Sequence, residues 1–466
     1  MPHQLTPGVV RWVGLAGSVA TAATAYLGGS GFVRIPSVNP VTLLSGEKGI
    51  VLPVCWVLGT AALIGAWWFG RHVVPSTRWA LVTAGLWLVP VLPFLPLGSA
   101  DVYSYACQGW VQHVQGDPYA GGGQDAGCPW LGSVATVWRG TPAPYGPLFL
   151  LLAGWVVAIG GALEAVIAGF RVIALAGLAL AAAGIPVLAR RAGVDPARAV
   201  WTVLACPLVL VHLVSGAHND ALMIGLIVAG LALVAARTNT SALVAGGAML
   251  GLAVAVKATA VVVLPFAVLA AGSAGPPPRA RWLPGGAVAA GAAGALGALW
   301  LFSGRGFGWI QGLLRSGDTV VWTSPSTAVG LTVNAAASLF GARIDAVPVT
   351  RAIGVGLLAV ILVVLWWRAR YRDPLVGAGL ALAATALCAP VFHPWYATWS
   401  LAVLAATRTE SRWLLGACGF AATLTLPAGY NWALGTRTVG SLLMTAGLLA
   451  LAVHFGRRAE SAPLRF

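Results

Sequence analysis

Residues 98–147 read GSADVYSYACQGWVQHVQGDPYAGGGQDAGCPWLGSVATVWRGTPAPYGP, the longest polar interruption in an otherwise apolar chain. The stretch holds Asp101, Asp117 and Asp125, three of only 12 acidic residues, with Cys107, Cys128 and a dense set of aromatics. Apolar runs flank it on both sides, so it has to lie at one face of a membrane. The chain as a whole, 466 residues long, is 59% hydrophobic and 8% charged, with a mean hydropathy of +0.86. Soluble domains carry about 25% charged residues, so this composition excludes one. Crossing a ~30 Å hydrocarbon core takes about 20 apolar residues, and such runs recur along the chain. They are continuous rather than alternating, which selects helices over barrel strands. The expected fold class is an all-α polytopic membrane protein with about 13–14 transmembrane helices. It forms one unit over residues 1–466, with 98–147 as a large first external loop and 303–346 as a second.

The net charge of +15 comes almost wholly from arginine, since Lys48 and Lys257 are the only lysines. The arginines fall in short clusters between apolar runs, the pattern of cytoplasmic loops rather than of a phosphate-tracking groove, which argues against nucleic acid. Arg11, Arg71 to Arg78, Arg190 to Arg198, Arg237, Arg279 to Arg281, Arg368 to Arg372, Arg408 to Arg412 and Arg457 to Arg465 are therefore placed on the cytoplasmic side of a bacterial plasma membrane. Helices then fit at 9–29, 49–69, 79–97, 199–214, 221–236, 241–256, 258–271, 283–302, 347–367, 374–392, 395–407, 413–429 and 437–455. The first reads as a helix, not as a cleavable leader. On the opposite, external face this topology gathers Asp101, His218-Asn219-Asp220, Lys257, the loop from Ser303 to Ala346, His393 and Tyr430-Asn431-Trp432. Residues 147–189 fit in two ways: Leu148 to Ile159 is re-entrant or interfacial, or the Arg190 cluster breaks the charge rule.

Asp101 follows the proline-punctuated end of an apolar run. A carboxylate at that boundary is either partly desolvated, which raises its pKa toward that of a general base, or a solvated residue at a helix end. Lys257 interrupts an apolar region and either faces an anionic group or snorkels to the interface. His393 opens HPWY, where it orients a ligand or sits in an aromatic belt. His218-Asn219-Asp220 joins two apolar runs without arginine, and Asp220 either assists a substrate or caps the next helix. Arg305, Arg315 and Arg343 are reserve anion binders. Trp110, Trp130, Trp138, Trp309 and Trp322 suit stacking on sugar faces or anchoring at the interface. Cys107 and Cys128 share the external loop and are expected to form a disulfide, whereas Cys55, Cys206, Cys388 and Cys418 read as small buried hydrophobes. No HExxH, CxxC or paired i, i+4 ligand set is present, so no obligatory metal is expected, although a divalent cation could bridge a carboxylate to a phosphate. A transporter would place its charges near the bilayer midplane. Only Glu164 and Arg171 lie deep, seven residues apart, where they could pair.

DVYSY at 101–105, GDPY at 116–119 and Tyr145-Gly146-Pro147 resemble the GT-C membrane glycosyltransferases. In particular they resemble the actinobacterial polyprenol-phosphomannose-dependent α-1,6-mannosyltransferases of lipomannan and lipoarabinomannan synthesis. HND at 218–220, KATA at 257–260 and HPWY at 393–396 extend the resemblance over most of the chain. It implies that polyprenyl-phosphate mannose donates its sugar, with inversion, to a glycolipid or mannan acceptor at the external membrane face. It also implies that the loop Asp101 is the base. Tyr103, Tyr105, Asp117, Tyr145, His218, Asn219, Asp220, Lys257, His393, Trp395 and Tyr396 are then the expected substrate-binding residues. Other polyprenyl-phosphate sugars, such as arabinose or glucose, would call for nearly the same residues.

Overall fold

The computed structural model describes residues 5–28, 50–236, 239–272, 282–306, 308–315, 319–408, 411–426, 432–433 and 435–460. Among them all regular structure is helical. In chain order, α1 (Pro7–Gly28), α2 (Val51–Gly70) and α3 (Thr77–Leu88) precede the polar stretch, and α4 (Asp101–His113) opens it. After it come α5 (Pro147–Gly160), α6 (Leu163–Ala192), α7 (Pro196–Leu204), α8 (Asp220–Ala236), α9 (Thr240–Val256), α10 (Leu264–Gly272) and α11 (Trp282–Ser303). The C-terminal part holds α12 (Trp309–Arg315), α13 (Pro325–Leu339), α14 (Val347–Ala369), α15 (Pro374–Cys388), α16 (Ala397–Thr407), α17 (Arg412–Thr423) and α18 (Arg437–Glu460).

By length and composition α2, α6, Leu283–Ser303 of α11, α14 and Arg437–His454 of α18 can each cross a membrane, and α7 with the following turns makes a sixth span if counted as one. Five apolar segments, α5, α8, α9, Ala258–Gly272 and α15, are shorter. The chain is a multi-pass all-α membrane protein, and among the described residues fewer helices are long enough to span than the 13–14 that its apolar runs suggest. The difference has visible causes. The run at 199–214 breaks at Pro207, whose ring cannot continue a helix; the chain bends by 64° between α7 and the π-helical turns Val209–Ser215. The run at 79–97 leaves the α-helix at Leu88, beside Pro90. The run at 258–271 starts as a 3-10 segment, Ala258–Val263, because Lys257 takes an extended backbone (φ −150°, ψ 122°). Residues 147–189 form two helices of 14 and 30 residues, turned at Gly161 with φ +66°. The expected loop at 303–346 contains α12 and α13. Lys48, Arg237, Arg279, Arg281, Tyr430 and Asn431 lie outside the described residues.

Few acids are left for chemistry because several are spent on helix starts. Asp195 and Asp373 each precede a proline and accept the backbone N–H two residues on, at 2.9 and 2.8 Å, starting α7 and α15. Asp with Pro at the next position is a favoured helix start. Asp220 does not cap α8: it is the first helical residue, and its side chain is engaged elsewhere.

Two seams of small residues draw the central helices together. A methyl group on Gly225 of α8 would lie 2.0 Å from the Gly177 carbonyl of α6. One on Gly247 of α9 would lie 2.0 Å from the Val288 carbonyl of α11. Such backbone approach is the usual adhesive between membrane helices, and it leaves the first turns of α8, Asp220 included, fully enclosed.

Arg171, on α6, is buried. It does not pair with Glu164, which is exposed. Its guanidinium donates to the carbonyls of Leu92 (2.6 Å), Phe94 (2.7 Å) and Ser215 (3.0 Å). The Ser215 hydroxyl in turn accepts from the Leu97 N–H at 3.0 Å. The irregular segment before α4 is thus tied to the turns before α8, because its proline-broken backbone leaves carbonyls free to accept. Arg171→Leu should strand these carbonyls and cost on the order of 3 kcal/mol. Arg171→Lys should recover part of that loss. Thermal unfolding in detergent measures both.

Candidate active site

Lys257 marks the end of α9. The terminal carbonyls of a helix lack internal partners, and here Val256 O accepts the Gly146 N–H at 3.1 Å. The approach is so close that a Cβ on Gly146 would lie 2.3 Å from Ala255 O. Tyr145-Gly146-Pro147 therefore docks on the broken helix end, with Pro147 starting α5, and Tyr145 and Lys257 meet. The Tyr119 hydroxyl donates to Tyr145 O at 2.8 Å and holds the loop from the other side.

The released lysine turns to Asp220. Its Nζ lies 2.9 and 3.1 Å from the two carboxylate oxygens, and the Trp399 indole N–H donates to Oδ1 at 2.6 Å. The ammonium also lies 4.9 Å from the Tyr396 ring centroid and 5.2 Å from that of Trp399, a cation–π arrangement. Asp220 has no solvent exposure, whereas the Lys257 side chain retains 12%. The cation looks outward and its counter-ion does not.

HPWY packs against HND. The Trp395 ring sits 3.9 Å from His218 and is stacked at 4.6 Å on His393. His218 Nδ1 lies 3.3 Å from the Tyr105 hydroxyl, 3.9 Å from Asp101 Oδ2 and 4.0 Å from Asp220 Oδ2. Burial holds the His218 ring well below its ordinary pKa, with His212, Lys257 and His393 adding to the effect. Burial, then the charge of Lys257, brings His393 down to about 3. Both rings are neutral near pH 7 and act as hydrogen-bonding and stacking groups.

Asp101 begins α4 and its N–H donates to Ser99 Oγ at 3.1 Å. Burial raises its carboxyl to about 6, against the lowering effects of Ser99 and then Lys257, with Asp220 adding a further rise. A quarter of the side chain is still exposed, toward a cavity of about 440 Å³. Asp101, Tyr145, Lys257, His393, Trp395 and Tyr396 all line that cavity, as do Trp138 and Trp399. The wall continues into apolar side chains of α12, α14 and α15, including Leu313, Val355, Leu358 and Cys388.

Most of the expected site residues converge here, and several do not. Tyr105, His218 and Asp220 stand behind the lining; Asn219 is buried beside them. Tyr103 is buried in α4 away from the cavity wall. Asp117 turns elsewhere: its carboxylate accepts from the Tyr119 N–H and pairs with Arg305 at 3.2 Å. Arg305 is thereby occupied, Arg343 is exposed, and the Arg315 side chain lies outside the described residues. Of the loop tryptophans only Trp138 reaches the cavity; Trp110 and Trp130 pack on each other, and Trp322 bonds to Thr436. Cys107 and Cys128 form the expected disulfide, with Cα atoms 5.4 Å apart. Sequence reasoning passed over Trp399, Ser104 and Gln108. The last two follow Asp101 at i+3 and i+7, a helical spacing that places them on its face. Among the described residues no group of three or more His, Cys, Asp or Glu side chains is placed to hold a metal.

Residues 11–273 match a family model described as alpha-(1->6)-mannopyranosyltransferase, N-terminal domain, and residues 326–455 match the MptB C-terminal domain. The chain belongs to the α-(1→6)-mannopyranosyltransferase family. It is 34% identical to alpha-(1->6)-mannopyranosyltransferase A of Mycobacterium tuberculosis, over 84% of this chain and 79% of that protein. It is 31% identical to alpha-(1->6)-mannopyranosyltransferase A of Corynebacterium glutamicum over 79% and 81%. The B protein of the same bacterium is 28% identical over 90% and 75%. No solved structure matches the chain. The chain is thus a membrane mannosyltransferase, and its cavity is the place to look for transfer.

Removing one member of a buried ion pair leaves the other uncompensated. Asp220→Asn is expected to lower stability by roughly 3–5 kcal/mol, and the double replacement Asp220→Leu with Lys257→Met to recover most of it. Mannosyl transfer should stay lost in both. Thermal unfolding and a membrane transfer assay on the same preparations separate the two effects.

Proposed function

We propose that this enzyme transfers mannose from polyprenyl-phosphate mannose to a growing α-1,6-mannan of the lipomannan and lipoarabinomannan type, with inversion, at the external membrane face. The observation that carries the reading is one cavity holding three things: the raised carboxyl of Asp101, the outward-facing ammonium of Lys257, and an apolar wall from α12, α14 and α15. A lipid-linked sugar phosphate needs all three. The polyprenyl chain lies along Leu313, Val355 and Leu358, with its phosphate at Lys257. The Trp395 indole N–H, buried without a protein partner, and the neutral His393 ring add donors there.

In this reading the acceptor's 6-hydroxyl attacks the anomeric carbon of the donor mannose. Its proton passes to Asp101, the new C1–O6 bond forms, and the C1–O bond to phosphate breaks with its electron pair. One base suffices for an inverting displacement, and a β-linked donor gives an α product. Lys257 meets the charge that grows on the leaving phosphate. Asp220 and Trp399 hold the ammonium in place. His218, with Tyr105 on its Nδ1, backs the carboxyl of Asp101 without being charged itself.

Asp101→Asn should cut transfer from labelled polyprenyl-phosphate mannose to an α-1,6-mannan by about 10²–10⁴-fold in protein that still folds. Activity in both forms would remove Asp101 from the role of base. A base must be deprotonated, so kcat/KM should rise with pH through about 6. Ser99→Ala, which removes a lowering interaction, should move that limb to higher pH. Because a lysine supplies the positive charge, EDTA should leave the rate unchanged; a loss restored by one divalent ion would place a metal at the phosphate.

A further inference from the structure

The cavity wall carries polar groups that donor binding does not use. Ser104 and Gln108 continue from Asp101 along one face of α4 and line the cavity. Ser104 is 6% exposed, and its Oγ is buried without a hydrogen-bond partner. A serine inside a helix ordinarily bonds back to the carbonyl four residues earlier; this one does not. The Gln108 Oε1 is likewise buried and unpartnered. Unmade bonds at buried polar atoms are costly, so this row is built to meet something polar. Trp138 and Thr141, from the loop, face the same space. The two flanks of this face are taken up by packing: a Cβ on Gly109 would lie 2.5 Å from Ala153 O of α5, and Cys107 is bridged to Cys128.

We propose that Ser104 and Gln108, with Trp138 as the stacking wall, form the subsite for the acceptor's terminal pyranose. The assignment rests on the transferase reading above and adds the place and the chemistry of the second substrate. The acceptor hydroxyl has to reach the Asp101 carboxyl, so the sugar that bears it lies on the wall continuing from that residue. At 1.5 Å per residue the row extends about 10 Å from Asp101 to Gln108. It offers a hydroxyl and an amide, with no charge beyond Asp101 itself. That pattern fits an uncharged, hydroxyl-rich sugar and supplies no cation for a phosphate or a carboxylate. The apolar α12–α14–α15 side and the Lys257 end are left to the lipid and its phosphate.

Equilibrium binding of a soluble α-1,6-linked mannotriose to the full-length protein in detergent, without donor, tests this directly. Ser104→Ala should weaken binding about fivefold and Gln108→Leu about tenfold, the usual range for one lost hydrogen bond. Gln108→Asn should fall between Gln108→Leu and the unchanged protein. Polyprenyl phosphate binding, measured on the same samples, should stay as it was and certifies the fold. Equal mannotriose affinity in all variants, or no mannotriose binding to the unchanged protein, overturns the assignment. So does weakened polyprenyl phosphate binding with mannotriose affinity intact, which would hand the row to the donor. If mannotriose binds as stated while transfer from polyprenyl-phosphate mannose fails, the donor reading falls and the subsite stands.

Discussion

A carboxylate with no access to water is tolerable only if something holds its charge, and in this protein that is Lys257. The pair is expensive to bury, and the surrounding structure is arranged around that cost. Trp399 gives the carboxylate a third hydrogen bond, and Tyr396 and Trp399 spread their rings beside the ammonium. Asp220 can sit at the first turn of α8 because glycine seams pull α6 and α8 together and shut out solvent. Lys257 can reach it because α9 stops one residue earlier. The two charges lie 37 positions apart in the chain, and each is placed by a helix boundary, not by a loop free to adjust.

The same boundaries bring the rest of the site together. The segment before α4 and the turns before α8 are both irregular, and Arg171 fastens one to the other through their carbonyls. Asp101 at the end of the first segment and His218 at the end of the second come within 3.9 Å as a result. Trp395 then closes over His218. No single helix carries these groups; they lie where several helices end.

Much of this was legible in the sequence. Hydropathy gave the class, the sparse acids pointed to Asp101 and Asp220, and the HND, KATA and HPWY groups fell together once arginine clusters set the topology. The loop cysteines paired as their shared compartment implied. What escaped had physical reasons. Helix count by apolar length fails where a proline, or a lysine drawn to a buried acid, interrupts the run, because hydropathy averages over such breaks. Asp117 looked like a site residue by its motif, yet Asp-Pro is first a backbone device, and here it also pairs with Arg305. Trp399 bore no local mark, since its importance comes from a partner 179 positions away. Ser104 and Gln108 were readable from helical spacing once α4 was known to start at Asp101.

The docking of Gly146 on the Val256 carbonyl uses main-chain atoms only. The spacing between the loop and the lysine is therefore fixed by backbone register, whatever side chains surround it. The aromatic and polar groups of the cavity can thus be exchanged without moving the cation. A one-residue insertion or deletion between Tyr145 and Pro147, or at the end of α9, has no such latitude, since it shifts a carbonyl and a charge together. The site is open to substitution and closed to changes of length.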